Sequence, residues 1–228
     1  MRKNTKEKQY SILFDTVERH GQSNLGIMFN ESWNEDPRRS LFTLSRYKFV
    51  SKMLAGTDGV LEIGCADAFA TRLVQQTVTN LTAIDFDSVF IQDIRERYNP
   101  HWPFSYFEHD ILNSPVPGKY NAAYALDVLE HIPAEQERRF IDNIVSSLSP
   151  QGVLIVGAPS LESQVHASPQ SKEGHVNCKS GVDLQSLFKD YFSSVFLFSM
   201  NDEVIHTGFT PMAHYVMVLC CGPKGVQG

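Results

Sequence analysis

Few features of this 228-residue sequence favour a membrane, secreted or nucleic-acid-binding protein. No apolar run approaches the roughly 20 residues that cross a bilayer, and the charged residues 1–8 are not followed by the apolar stretch of a signal peptide. With 20 basic against 26 acidic residues, the net charge of -6 argues against nucleic acid as a partner. We therefore expect a cytoplasmic protein with no membrane span.

Cysteine is also scarce, and its positions argue against two common kinds of cross-link. Cys65, Cys178, Cys220 and Cys221 show neither a disulfide framework nor the paired spacing of a zinc site. A reducing compartment is therefore expected. The hydrophobic share of 42% is instead typical of one globular core.

The sequence is organised around residues 59–74. An apolar run over residues 60–63 ends at Gly64, small residues follow at 65–68, and apolar residues then recur at helical spacing. This pattern predicts a buried strand, a turn with little side-chain bulk and a helix. Small residues at such a turn let a ligand approach the backbone closely.

The next predicted strand, residues 81–85, ends on a carboxylate. Asp85 lies 21 positions after Gly64, a spacing that suits hydrogen bonds to ribose hydroxyls. The alternative for Asp85 is a cap for the helix that follows it.

Two strings of residues now indicate a family. Val-Leu-Glu-Ile-Gly-Cys-Ala-Asp-Ala at 60–68, followed by Ala-Ile-Asp-Phe-Asp at 83–87, resembles motif I and its successor in class I S-adenosylmethionine-dependent methyltransferases. The resemblance extends more loosely from about residue 60 to 159. The sequence departs from the family pattern at Ala66 and Ala68, where further glycines are usual.

Strands and helices alternate over about 100 residues, which predicts an α/β fold with a parallel sheet. The resemblance implies a Rossmann-like, seven-stranded, mostly parallel sheet with helices on both faces and an antiparallel C-terminal edge strand. Residues 1–58 are expected to form an N-terminal arm and helices that cover the site, and residues 59–222 the S-adenosylmethionine-binding domain. The predicted strands are 60–64, 81–85, 104–111, 120–127, 153–157, 195–200 and 214–220, and the main predicted helices are 68–77, 88–98, 135–148 and 182–191.

The resemblance assigns cofactor contacts to the first two strand ends. Gly64, Cys65 and Ala66 would place backbone near the methionine part of S-adenosylmethionine. Glu62, inside the strand, would orient that turn and would also contact the cofactor amine through water. Asp85 would accept the ribose hydroxyls.

The later strand ends complete the implied cofactor site. Phe86 would lie beside the adenine, and Asp110 and Ile111 would contact the adenine amino group and ring edge. Asp127 and Val128 resemble the motif beside the sulfonium; Asp127 would contact either the cofactor or the substrate, and it is also a catalytic candidate. Ligands bind beyond the carboxyl ends of strands in such sheets, so these aspartates should share one edge.

Methyl transfer to a hydroxyl requires removal of its proton, and histidine suits that task near neutral pH. His175 is our first prediction for the base and His206 the second, while an ordinary loop position is the alternative for each. Candidate acceptor contacts are placed in the N-terminal helices and the loops. They are Trp33, Arg38, Arg46, His131 and Asn177. The alternative is that Trp33 packs in the core and that the two arginines are exposed to solvent.

A required metal is not expected. Asp127, Glu130 and His131 form a possible ligand set, but the second acidic pair typical of magnesium-dependent catechol-type methyltransferases is not evident.

The predicted function is methyl transfer from S-adenosylmethionine to a small-molecule acceptor. The favoured acceptor is a hydroxyl of a sugar, a nucleotide-linked sugar or a secondary metabolite. Two alternatives remain open: an NAD-type oxidoreductase and a non-catalytic S-adenosylmethionine-binding protein. A homodimer is a further possibility, since two C-terminal strands would offer a pairing edge.

Overall fold

A central sheet of eight strands organises the computed structural model, which describes residues 5–224. The first four residues of the predicted N-terminal arm lie outside this range. The strands are β1 (Val60–Ile63), β2 (Leu81–Asp85), β3 (Ser105–Glu108), β4 (Tyr120–Leu126), β5 (Leu148–Pro159), β6 (Phe192–Asn201), β7 (Val204–His206) and β8 (Tyr215–Pro223).

The spatial order of the strands is β3-β2-β1-β4-β5-β8-β6-β7. The first five in this order pair in parallel, whereas β8 is antiparallel to both β5 and β6. The predicted α/β class and the mostly parallel sheet are confirmed.

The C-terminal part of the sheet differs from the prediction in two ways. Between the predicted strands 195–200 and 214–220 the structure has the short strand β7, which brings the count from seven to eight. Three residues are too few to show a strand period in sequence. The last strand, β8, lies between β5 and β6 and leaves β7 at the edge. Its first four residues are buried, as suits an interior strand.

Eight α-helices lie within the described range, and four of them begin at side-chain caps, one of which is Ser168, whose hydroxyl accepts from the Ser171 amide. Asp36, before Pro37, accepts a hydrogen bond from the Arg38 amide, and Asp87 and Ser180 act in the same way on later helices. The helices are α1 (Ser11–His20), α2 (Ile27–Glu35), α3 (Pro37–Met53), α4 (Thr71–Gln75), α5 (Ser88–Arg97), α6 (Glu137–Ser147), α7 (Pro169–Gly174) and α8 (Gly181–Lys189).

Hydrophobic side chains pack on both faces of the sheet, as the prediction required. Leu61 belongs to a cluster with residues from α6 and α8, while its neighbour Val60 belongs to a second cluster with residues from α3 and α5. This alternation follows from the two-residue period of a strand. Tyr47 and Val50 of α3 lie in the second cluster, so the N-terminal helices share the core of the sheet domain.

The turn after β1 adopts an unusual backbone. Gly64 has φ of 73°, and Ala66 and Ala68 have φ of 46° and 53°. These are the two positions where the family pattern has further glycines. A left-handed conformation costs an L-residue about 1–2 kcal/mol, so the alanines retain the backbone shape under strain. The predicted helix over 68–77 is correspondingly shortened to α4, because Ala68 cannot join it at this φ.

Replacement of Ala66 by glycine tests this strain. We expect Ala66→Gly to raise the free energy of unfolding by up to about 1 kcal/mol, because relief of the left-handed alanine outweighs the added chain entropy. Ala70→Gly is the matched control, since Ala70 has φ of -73° and ψ of -22°. The control should lower stability by roughly 0.5–1 kcal/mol in urea denaturation. Equal losses in both variants would contradict the prediction.

Candidate functional site

A cavity of about 590 Å³ opens at the carboxyl ends of β1, β2 and β4. Its walls come from residues 63–67 after β1, 84–86 after β2, 109–112 after β3 and 126–128 after β4. Open α/β sheets bind ligands at this edge, and the volume suits a cofactor-sized molecule. The four strand ends that the sequence predicted to converge therefore do so.

The N-terminal helices close one side of the cavity, with Met28, Phe29 and Ser32 from α2 and Thr43 and Tyr47 from α3. A single carboxylate holds α2 in place. Asp67 accepts a hydrogen bond from the Phe29 amide at 2.7 Å, and its other oxygen accepts from the Phe69 amide.

Asp85 ties the turn to the end of β2. One of its carboxylate oxygens accepts from the Ala66 amide and the other from the Asp87 amide, both at 2.9 Å. Burial raises the pKa of Asp85, and these two amide bonds oppose the shift. Asp87, rather than Asp85, caps α5. A carboxylate offers about four acceptor positions, so Asp85 retains capacity for a ligand on the cavity wall.

Glu62 lies beneath the turn and is not among the residues that line the cavity. Its Oε1 accepts a hydrogen bond from the Tyr47 hydroxyl at 2.6 Å, whereas Oε2 has no hydrogen-bond partner within residues 5–224. Burial raises the pKa of Glu62 to about 7, against the opposing effect of Tyr47. The Thr71 and Tyr124 hydroxyls also lower this pKa, although neither meets the geometry of a hydrogen bond. Glu62 thus joins α3 to β1 as a buried, largely protonated group below neutral pH.

The end of β4 carries an ion pair. Asp127 has φ of 58°, and its carboxylate meets the Arg46 guanidinium at 2.5 Å. The guanidinium also lies over the Tyr215 ring, 4.0 Å from its centre. Asp127 lines the cavity, whereas Arg46 does not. Arg46, which the sequence predicted to contact the acceptor, instead forms an ion pair with Asp127.

Two of the three predicted histidines come together. His131 lines the cavity, and the ring of His175 lies 5.3 Å from it, centre to centre. Burial and the neighbouring His131 lower the pKa of His175, which favours the neutral imidazole. His206 lies in the edge strand β7, where its ring nitrogens pair with Asn201 and the Gly208 amide.

The remaining predicted acceptor contacts lie away from the cavity as residues 5–224 form it. Trp33 is 55% exposed, and Arg38 pairs with its neighbour Asp36 at the surface. Asn177 donates to Glu137 and accepts from Lys179, which fastens the loop to α6.

The structure adds wall residues that sequence reasoning missed. They lie on helices and loops without a motif, and for all except His109 only an apolar side chain hinted at burial. Those most involved are Met28, Phe29, Tyr47, Phe69, Phe90, His109, Leu112, Ile132 and Pro133.

Glu130 was noted in the sequence but not assigned to the site. It is 1% exposed, and neither carboxylate oxygen has a hydrogen-bond partner among the described residues. Burial, together with the nearby charge of Asp127, raises the pKa of Glu130 well above its usual value.

Comparison with known families and structures agrees with this geometry. Residues 60–152 match the family model described as a methyltransferase domain. Nodulation protein S of Azorhizobium caulinodans is 31% identical over 101 residues, 44% of this chain and 48% of that protein. The chain thus spans about half the length of the curated relatives it matches.

Solved structures share the fold over more of the chain. The N-methyltransferase NodS of Bradyrhizobium japonicum, in complex with S-adenosylhomocysteine, has a TM-score of 0.61 at 20% identity and covers 92% of this chain and 98% of its own. The DhpI complex with S-adenosylhomocysteine has a TM-score of 0.64 at 13% identity, covering 87% and 91%.

The fold is the one shared by these S-adenosylhomocysteine-bound methyltransferase structures, and residues 60–152 resemble a methyltransferase domain. Within the described part of the chain, no helix is both long and apolar enough to cross a membrane.

The buried Glu62 predicts a specific pH dependence of stability. Its pKa rises from 4.5 in the unfolded chain to about 7 in the folded one, so between these values the folded state holds an extra proton. The stability that Glu62 contributes is full below pH 4.5 and is lost as pH rises through about 7. We expect Glu62→Gln, which stays neutral, to gain roughly 3 kcal/mol relative to wild type between pH 4 and 8.

Urea denaturation at a series of pH values measures this difference. Glu108→Gln, at an exposed carboxylate of β3, is the matched control and should follow the wild-type curve. Parallel curves for wild type and Glu62→Gln would show that the carboxyl is not protonated in the folded state.

Proposed function

We propose that this chain transfers a methyl group from S-adenosylmethionine to a small-molecule acceptor. The observation that carries the proposal is the cavity, with Asp85 bound to the Ala66 amide at one strand end and Asp127 and His131 at another. The methyltransferase-domain match over residues 60–152 supports it independently.

The charge of the cavity fits this cofactor. Asp67, Asp85, Asp110 and Asp127 line it, and no lysine or arginine of residues 5–224 does. S-adenosylmethionine carries a sulfonium and an ammonium group and supplies an electrophilic methyl group when bound. A dinucleotide would instead place a diphosphate among these carboxylates, which argues against the oxidoreductase alternative.

Each strand end can be given a role toward the cofactor. Asp85 is assigned the ribose hydroxyls, and Phe86, which is 72% exposed on the cavity rim, the adenine face. Asp110 and Ile111 are assigned the adenine edge. The backbone of 64–66 is assigned the methionine portion, where Ala66 brings little side-chain bulk.

The acceptor end lies at Asp127, Val128 and His131. These residues occupy the wall at the end of β4, with His175 packed behind His131. An aligned acceptor there would meet a carboxylate fixed by Arg46 and an imidazole that binds or removes a proton. This polar arrangement supports a hydroxyl acceptor, such as that of a sugar, a nucleotide-linked sugar or a secondary metabolite.

An amine acceptor is the second candidate. NodS of Bradyrhizobium japonicum is described as an N-methyltransferase, and it shares the fold at 20% identity. Asp127 would attract an ammonium group by charge. Incubation with methyl-labelled S-adenosylmethionine and matched hydroxyl and amine compounds separates the two: label only in hydroxyl compounds favours the first, and label only in amines the second.

Binding of S-adenosylhomocysteine tests the cofactor assignment before any acceptor is known. Calorimetry should show micromolar binding, and none of NAD. Asp85→Ala should weaken binding by roughly 1–3 kcal/mol, or about 5- to 150-fold, because ribose donors lose a buried acceptor.

Asp87→Ala is the matched control for Asp85→Ala. It removes the α5 cap and costs about 1 kcal/mol of stability, but Asp87 does not line the cavity formed by the described residues. Its affinity should therefore match wild type. Wild-type affinity in a folded Asp85→Ala variant would remove the ribose assignment, and NAD binding alone would overturn the proposed function.

A further inference from the structure

Glu130 has a buried carboxyl group for which the proposed cofactor provides no hydrogen-bond partner. Its carboxyl group is buried in a short turn, Leu129–His131, directly after β4. Both oxygens lack a hydrogen-bond partner within the described range. A buried carboxyl with no partner is expensive, so a group that satisfies it is expected.

The surrounding chain brings two imidazoles to this carboxyl. The Glu130 carbonyl accepts hydrogen bonds from the amides of Val176 and Asn177, which fixes the neighbouring His175 over the turn. Glu130, His131 and His175 each offer a ligand atom, and the three atoms lie within 4.8 Å of one another. Metal bonds of about 2.0–2.2 Å hold the ligands of one ion within about 4.4 Å, so small side-chain rotations suffice.

The hydrogen bonds of both imidazoles match those of metal-binding histidines. His131 donates from Nδ1 to the Gly174 carbonyl, and His175 donates from Nδ1 to Oε1 of Gln164, each at 2.9 Å. The Gln164 amide is oriented because its nitrogen donates to the Ser160 carbonyl. Each acceptor is a carbonyl oxygen, so Nδ1 carries the proton and Nε2 keeps a free lone pair. Ligand histidines are fixed by the same kind of bond to a carbonyl.

We propose that Glu130, His131 and His175 bind a divalent transition-metal cation, of the Mn²⁺, Co²⁺ or Zn²⁺ class. Two imidazoles and one carboxylate favour these ions over Mg²⁺ or Ca²⁺, which prefer all-oxygen ligands. Three protein ligands leave coordination positions open. This replaces the expectation of no metal, which rested on the absence of a second acidic pair near Asp127.

The position of this set gives the cation a role, which rests on the proposed function. His131 belongs to both the ligand set and the cavity wall, and Asp127 lines the same wall. A cation held there would bind an acceptor hydroxyl and lower its pKa, which favours transfer to oxygen. Cation binding itself requires neither acceptor nor cofactor and is tested separately.

Titration of the metal-stripped full chain with Co²⁺ tests the site. We expect one equivalent to bind, with the visible absorption of a histidine-ligated Co²⁺ ion, and calorimetry with Zn²⁺ to give the same stoichiometry. Glu130→Gln and His175→Ala should each weaken binding at least tenfold. His175 lies in a half-buried loop, so its variant is expected to fold even where Glu130→Gln does not.

His206→Ala is the matched control, because His206 lies in the edge strand and pairs with Asn201. It should bind Co²⁺ as wild type does. Absence of binding, or weak binding that neither ligand variant changes, would overturn the site. Titration of the same samples with S-adenosylhomocysteine separates the two proposals: cofactor binding without Co²⁺ binding removes the cation site alone, and the reverse removes the proposed function alone.

Discussion

The carboxylate of Asp85 is the constraint on which the cavity depends. It accepts amide hydrogen bonds from Ala66, in the turn after β1, and from Asp87, at the start of α5. Without this acceptor, two partly buried backbone donors would lose their partner, at about 1 kcal/mol each. The bonds also hold a left-handed alanine in the turn, where the backbone is strained. One side chain therefore shapes the turn and presents oxygen atoms to the cavity.

The rest of the site is held together by carboxyl groups that contact the N-terminal helices. Asp67 fixes α2 over the turn, Glu62 joins β1 to Tyr47 of α3, and Arg46 fixes Asp127. In each case a side chain or a backbone amide of the N-terminal helices contacts a carboxyl group in a strand or just after it. The N-terminal segment is thus part of the cavity wall as well as of the core. If this segment were removed from the sheet, several buried carboxyl groups would lose their hydrogen-bond partners.

The sequence predicted the residues at the carboxyl ends of the strands better than the acceptor contacts around them. Gly64, Asp85, Asp110 and Asp127 are tied to strand ends by local pattern, and all of them line the cavity. The acceptor contacts fared differently, because they depend on how distant helices and loops pack. Arg46 forms an ion pair with Asp127, and Trp33 is exposed at the surface. The short strand β7 was missed because three residues carry no measurable period.

The sequence by itself determined the order of strands and helices, the small-residue turn and the aspartates at the strand ends, since these follow from local periodicity and spacing. The tertiary structure alone decided the place of β8 inside the sheet and the pairing of Arg46 with Asp127. It also decided the approach of His175 to Glu130 and His131. Such contacts join residues far apart in the chain, and their partners are selected by burial and charge compensation, which a local pattern does not encode.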